Sequence, residues 1–154
     1  MVKVDIVIPV LNEQEALPVC IEKLQNFISN NIDHKCNIVI ADNGSNDDTP
    51  EVSNQLVSIY ENIQYVRIPE RGRGLALKTV WSKSESDIVC YMDVDLSTGL
   101  EALPILINSL KGNYQIAIGS RLSRTSKVSN RSFQRELTSR GYNFLLKIFF
   151  FNKF

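Results

Sequence analysis

Asp93 and Asp95 stand one residue apart in Ile88-Val89-Cys90-Tyr91-Met92-Asp93-Val94-Asp95-Leu96-Ser97-Thr98, directly after an apolar run. Two carboxylates that close repel, and each raises the other's pKa. A divalent cation relieves the repulsion, and hard oxygen donors suit Mg²⁺ or Mn²⁺. Mg²⁺ takes one or two protein carboxylates and completes its shell with water and substrate phosphates. The pair therefore reads as the holder of a metal–nucleotide diphosphate. Two solvated acids at a strand-end turn fit the motif alone equally well.

Carboxylates placed this way need a scaffold. Ile88 to Met92 is apolar without alternation, which predicts a strand buried on both faces. Ligands of open α/β sheets bind in the crevice beyond the carboxyl ends of such strands. Val4 to Val10 predicts an earlier strand, and Leu17, Ile21, Leu24, Phe27 and Ile28 follow at helical spacing. Asn12 and Glu15 have capping-box spacing, so capping is the ordinary role for Asn12, and Pro18 is tolerated in a first turn. Glu13 has no such ordinary role. Ile38 to Ala41 predicts a second strand, closed by the polar loop 42–48, with Thr49 as N-cap and Pro50 opening the next helix. Ile63 to Ile68 predicts a third strand, and the loop Pro69-Glu70-Arg71-Gly72-Arg73-Gly74 leads into a helix through Leu77, Val80 and Trp81. Leu100, Leu103 and Ile107 mark another helix, and Ile116 to Gly119 a further strand. Strands alternating with helices make βαβ units, a mostly parallel sheet and right-handed crossovers.

Three polar loops then fall at one sheet edge: Asn12 and Glu13 after strand one, Asp42 and Asn43 after strand two, Asp93 and Asp95 after strand four. Together they form a polar mouth. Gly72-Arg73-Gly74 adds backbone N–H groups at a helix start and a guanidinium suited to phosphate. It is not a dinucleotide fingerprint, because Leu77 stands where the third glycine belongs and the loop follows the third strand.

Length predicts one domain with a real core. The formal net charge of zero conceals a division. Residues 1–120 carry 9 Lys+Arg against 16 Asp+Glu, a balance of −7, and residues 121–154 carry 8 against 1, a balance of +7. After the polar stretch Ser123 to Asn130, Phe133 to Phe151 reads as a helix that becomes apolar all round by Leu145, so it must be buried somewhere. A basic, aromatic-rich segment suits a membrane interface with anionic lipid, with docking on the domain's own sheet or a second subunit as the alternative. Nucleic acid fits poorly, since the aromatics cluster apart from most arginines. The three cysteines, Cys20, Cys36 and Cys90, lack C-x-x-C spacing and read as reduced, inert core thiols of a cytosolic protein. The early first strand leaves no signal peptide, and no apolar run spans a membrane. His34, the only histidine, falls in a polar loop and is expected to be solvated.

Ile6-Val7-Ile8-Pro9-Val10-Leu11-Asn12-Glu13, Ala41-Asp42-Asn43-Gly44-Ser45, Arg71-Gly72-Arg73-Gly74, Asp93-Val94-Asp95 and Gly119-Ser120-Arg121 together resemble family 2 glycosyltransferases, across essentially the whole chain. Within the family they are most similar to the polyprenyl-phosphate hexosyltransferases, the dolichyl-phosphate mannose and glucose synthases. The resemblance implies a GT-A fold, a Rossmann-like three-layer αβα sandwich. It implies that Pro9, Leu11, Asn12, Glu13, Asp42, Asn43, Arg73, Gly74 and Asp93 bind the nucleotide, although Asn43 replaces a frequent aspartate. Asp93 and Asp95 would hold Mg²⁺ or Mn²⁺, with Ser97 standing where some relatives place Gln. Arg121, with Arg135 and Ser139, would meet the acceptor phosphate, and Asp93, Asp95 and Arg121 would carry catalysis. The partners implied are a UDP- or GDP-hexose, a polyprenyl phosphate and the cytoplasmic face of a membrane, and self-association stays open. Residues 1–122 would form the nucleotide-sugar-binding core. Residues 123–154, in the same domain, would form an acceptor- and membrane-facing region that is incomplete, since relatives continue further.

The chemistry agrees independently. Sugar transfer needs charge neutralisation of the departing diphosphate and a nucleophile at the anomeric carbon, and a metal supplies the first. A lipid monophosphate is already anionic and needs positioning more than a general base. Two other classes compete. Asp93-Val94-Asp95-Leu96-Ser97 echoes the D-x-D-x-T nucleophile of haloacid-dehalogenase-type phosphatases, but on too late a strand and with few acids downstream. A non-catalytic nucleotide-sugar-binding domain acting with a membrane partner is the other.

Overall fold

The structure is a computed structural model that describes residues 1–112 and 114–119. The chain divides into two compact units, Met1–Ala117 and Ile118–Phe154, and only Ile118 and Gly119 of the second are described. The first unit runs β1 (Lys3–Val10), α1 (Ala16–Asn31), β2 (Lys35–Asp42), α2 (Thr49–Ile59), β3 (Ile63–Arg67), α3 (Arg73–Trp81), β4 (Ile88–Tyr91) and α4 (Ala102–Leu110). The strands are ordered β3-β2-β1-β4 and every neighbouring pair is parallel. All four carboxyl ends therefore open at one edge, as the alternating pattern requires.

The period of two along each strand sorts residues onto the two faces. Val4, Ile6, Ile8 and Val10 of β1 join Ile38 and Ile40 of β2 under Leu17, Ile21 and Leu24 of α1, with Leu56 of α2 and Leu103 and Ile107 of α4 in the same core. Val7, Val39 and Ala41 point the other way, under Ala76, Leu77 and Val80 of α3. The result is three layers with the sheet in the middle. Ile6, Ile8, Ile38 and Ile40 expose no surface, and each contributes about 1.5–3 kcal/mol by burial. Asp5 is the buried charge on the α3 side. Its carboxylate accepts hydrogen bonds from Asn37 Nδ2, Ser84 Oγ and Ser86 Oγ at 3.0, 2.6 and 2.7 Å. Burial pushes its pKa up, but those three donors outweigh burial and hold it below the ordinary carboxylate value.

Four expectations are corrected. β4 is not buried on both faces: among the described residues it pairs only with β1, and Tyr91 is half exposed on the α3 side. Apolar composition there reflects one packed face, shared by Ile88, Cys90 and Met92. Residues 116–119 form no strand, and Ile116 and Ile118 are exposed; alternation alone makes no strand without a neighbour to hydrogen-bond. Asn12 does not cap α1. The helix starts after Glu15 without a side-chain cap, and Asn12 turns away in a left-handed conformation, φ 57°. Thr49 is the first residue of α2 and not its cap, which is Asp48. Among the described residues no helix is long and apolar enough to cross a membrane.

Candidate functional site

The loops after β1 and β2 are stitched together at the carboxyl edge. Asn12 N–H donates to Ser45 Oγ at 2.9 Å, and Asn12 Oδ1 accepts from Asn46 N–H at 2.8 Å. Glu13 N–H donates to Thr49 Oγ1 at 2.8 Å. Gln14 Oε1 accepts from Asp48 N–H at 2.9 Å. Asn12 is thus a cross-loop residue, and its left-handed backbone is one that Asn tolerates well. The polar side chains of loop 42–48, which read as turn formers, fix the ends of both loops.

A second set of bonds ties the β2 loop to the third. Asp42 is fully buried. Its Oδ1 accepts from Ser45 N–H at 2.8 Å and its Oδ2 from the Tyr65 hydroxyl at 2.7 Å. Burial, and then the bond to Asp42, push the Tyr65 hydroxyl up to about 12. Arg67 Nη2 donates to the Ser45 carbonyl at 3.0 Å, and Asn43 Oδ1 accepts from Gly72 N–H at 2.9 Å. Gly44 lies at φ +79°, where a Cβ would meet the Pro69 carbonyl at 2.9 Å, so only glycine fits that crossing. Tyr65, Arg67, Ser45 and Thr49 were not legible as site residues, because their partners are 20 or more residues away in sequence.

The exit of β4 carries the acid pair. Met92, Val94 and Leu96 pack against the α1 core, while Asp93 and Asp95 between them are exposed. The stretch Met92-Asp93-Val94-Asp95-Leu96 alternates apolar with acidic residues, and its apolar members are the ones that pack on the core. Leu96 N–H donates to the Asp93 carbonyl at 3.1 Å, closing a turn, and Leu96 sits at φ 50°. A left-handed leucine costs about 1–2 kcal/mol, offset here by its packing on the core. Asp95 Oδ1 accepts from Ser97 N–H at 2.9 Å. Asp93 Oδ1 is bonded to Arg73 Nη2, an ion pair with both side chains about half exposed. The Arg73 guanidinium lies 5.3 Å from the Tyr91 ring centroid, and Tyr91 meets Trp81 at 6.0 Å between centroids, tilted by 51°. Helix α3 begins after Gly72, which has no side chain to cap its first turn, and Gly74 leaves open space where a Cβ would stand.

This donor set fits a hard divalent cation. Each carboxylate has one oxygen engaged by the protein and a second with no described partner, and Asp93 already draws a positive group. Among the described residues no cluster of three or more acids, histidines or cysteines gathers as a closed metal cage. Two carboxylates are as many as a Mg²⁺-type site takes from protein where water and phosphate complete the shell.

The structure thus joins Asn12, Glu13, Asp42 and Asn43 in one bonded rim, and Arg73 to Asp93. Pro9 pairs with Ala41 within the sheet, and Leu11 is exposed beside the rim. Arg121, Arg135, Ser139 and the helix expected over 133–151 lie outside the described residues. Two hollows lie elsewhere and include none of the expected site residues. One, of about 240 Å³, includes His34 and Lys111; the other, of about 310 Å³, includes Asp5 and Lys83. His34 is not simply solvated. Its Nε2 is 3.1 Å from Lys111 Nζ, and its Nδ1 is enclosed with no partner among the described residues, because the end of α4 folds against the loop before β2. The cysteines are free. Burial raises all three thiols; Cys90 reaches about 12, and Cys20 reaches about 11 with help from the charge of Asp95. All three are inert near neutral pH.

Residues 5–153 match the family model described as Glycosyl transferase family 2. The chain is 34% identical over 139 residues to a dolichol-phosphate mannosyltransferase of Pyrococcus furiosus, covering 90% of this chain and 39% of that protein. It is 30% identical over 154 residues to glycosyltransferase AglD of Haloferax volcanii, covering 96% of this chain and 24% of the relative. The mannosyltransferase PcManGT from Pyrobaculum calidifontis, solved with GDP-Man and Mn²⁺, superposes with a TM-score of 0.55 at 27% identity, over 70% of this chain and 32% of that one. The chain therefore spans between about a quarter and two fifths of the length of these relatives.

Proposed function

This chain belongs to glycosyl transferase family 2, and from that premise we propose that it is the donor-binding part of an inverting, divalent-metal-dependent hexosyltransferase acting on a polyprenyl phosphate. The observation that carries the reading is the exposed Asp93–Asp95 pair at the exit of β4, beside a bonded rim built from the loops after β1 and β2. Names of relatives support the finer terms: a dolichol-phosphate mannosyltransferase for the acceptor, and a mannosyltransferase solved with GDP-Man and Mn²⁺ for donor and metal.

Roles follow from the side chains. Pro9, Leu11, Asn12, Glu13 and Asn43 line the nucleoside end, with Asp42 fixing that wall from behind. Asp93 and Asp95 would hold Mg²⁺ or Mn²⁺, which would supply Lewis-acid neutralisation of the diphosphate's charge. Arg73 and the uncapped first turn of α3, with Gly74 leaving room, face phosphate oxygens. Arg121, with Arg135 and Ser139, orients the acceptor monophosphate so that one of its oxygens attacks the anomeric carbon opposite the diphosphate, which inverts that centre. The basic, aromatic-rich composition of residues 123–154 suits contact with an anionic membrane surface, at the cytoplasmic face. The remaining length of the relatives leaves room for partners in the acceptor half.

Calorimetric titration with GDP and UDP, with and without Mn²⁺, tests this. Binding should require the metal and should be lost in Asp95→Ala. Radiolabelled hexose should then enter a lipid fraction when polyprenyl phosphate is supplied. If neither nucleotide binds, the proposal fails; if nucleotide binds without turnover, the chain is the nucleotide-sugar-binding alternative.

A further inference from the structure

We propose that Arg73 is a displaceable placeholder, holding Asp93 through its guanidinium while the site lacks metal and passing to a phosphate oxygen once metal and diphosphate arrive; this rests on the Asp93–Asp95 metal reading above.

Three observations carry it. Arg73 is bonded to Asp93, one of the two carboxylates assigned to the cation. It reaches that carboxylate from α3, on a side chain about half exposed whose partners among the described residues are Asp93 and the face of Tyr91. It is flanked by Gly72 and Gly74, which add no side chains of their own beside it at the start of the helix.

Charge decides the direction. Without metal, two carboxylates and one guanidinium leave a single net negative charge, and the ion pair lowers the repulsion between Asp93 and Asp95. A divalent cation competes with Arg73 for the same oxygen and is repelled by it. An exposed ion pair is worth up to about 1 kcal/mol, so Arg73 weakens metal binding about 2- to 5-fold, a cost the site tolerates. When a nucleoside diphosphate enters with the cation, negative charge is again in excess. The guanidinium then finds a planar, bidentate oxygen partner, a stronger contact than the pair it left. Arg73 therefore opposes metal alone and favours metal with diphosphate. A residue that only contacted phosphate would do the second and not the first.

The test measures the two steps apart. Binding of Mn²⁺ to the full chain without nucleotide is read from the electron paramagnetic resonance signal of the free ion. Binding of GDP or UDP at saturating Mn²⁺ is read by calorimetry. In Arg73→Gln, which keeps most of the stem, Mn²⁺ alone should bind about 2- to 5-fold tighter while the diphosphate binds about tenfold or more weakly. Arg73→Lys should restore the repulsion of the metal but only part of the diphosphate affinity, because an ammonium lacks the fork. Trp81, the only tryptophan in the chain, touches Tyr91, so its emission should change when Mg²⁺ and diphosphate displace Arg73, and not in Arg73→Gln. If the wild type binds Mn²⁺ and Arg73→Gln binds it no tighter, the placeholder is wrong and the metal site stands. If the wild type leaves Mn²⁺ free, even at millimolar protein and with nucleotide, both fall.

Discussion

Tyr65→Phe is the sharpest probe of the rim. Asp42 is fully buried, and its carboxylate has two donors, Ser45 N–H and the Tyr65 hydroxyl. Removing the hydroxyl leaves Oδ2 of a buried carboxylate without its donor at 2.7 Å. A hydrogen bond to a charged group is worth about 1.5–3 kcal/mol net. Tyr65 is half-buried, so water reaches part of the vacated space and the loss falls at the lower end, about 1.5–2 kcal/mol. A domain of this size shifts about 2–4 °C per kcal/mol, which gives a fall in Tm of about 3–8 °C. In urea the midpoint should drop with an unchanged slope, because the folded surface stays the same. Asp42→Ala alone should cost more, since it strands the Ser45 N–H as well. A double-mutant cycle between the two should return a coupling of about 1 kcal/mol or more. A loss below about 0.5 kcal/mol for Tyr65→Phe, or strict additivity with Asp42→Ala, would show that the hydroxyl does not hold the carboxylate.

Other perturbations address separate parts of the argument. Gly44→Ala should destabilise by about 2 kcal/mol or more in thermal melts, combining a left-handed backbone with a Cβ 2.9 Å from the Pro69 carbonyl; a neutral result would mean the β2 and β3 loops do not cross there. Asn12→Ala should speed amide exchange at Asn46 while leaving the first turn of α1 protected, whereas a capping role would expose α1. Asp5 is held below its ordinary pKa of 3.8, so it stabilises the fold at neutral pH and loses that contribution as pH falls through its lowered value. Urea midpoints between pH 6 and pH 3 should therefore fall more steeply in the wild type than in Asp5→Asn, and parallel curves would count against the three-donor account.

The family's motifs were readable because each is local. Asn12-Glu13, Asp42-Asn43 and Asp93-Val94-Asp95 are each a strand end and its turn, and parallel pairing of consecutive βαβ units must bring strand ends to one edge. Helix positions were equally local: Leu17, Ile21, Leu24 and Ile28 mark the buried stripe of α1 through spacing alone. Spacing failed where a role depends on what lies across the gap. The interval from Asn12 to Glu15 suits a cap, but the bond that forms is to Asn46, which no local rule can weigh. Ile116 and Ile118 alternate like a strand, yet a strand exists only through its neighbour's hydrogen bonds.

What the amino-acid order determined was the βαβ scaffold and the sheet edge at which its acidic loops emerge. Tertiary structure alone decided which of those acids keep a carboxylate oxygen unengaged. Asp42 is consumed by Tyr65 and Ser45, from 23 and 3 residues away. Among the described residues, Asp95 keeps an oxygen without a partner, and Asp93 keeps one while Arg73, 20 residues earlier, takes the other. The reason is physical: a carboxylate's availability depends on which donors reach it in space, and those donors come from elements whose separation along the chain says nothing about their approach.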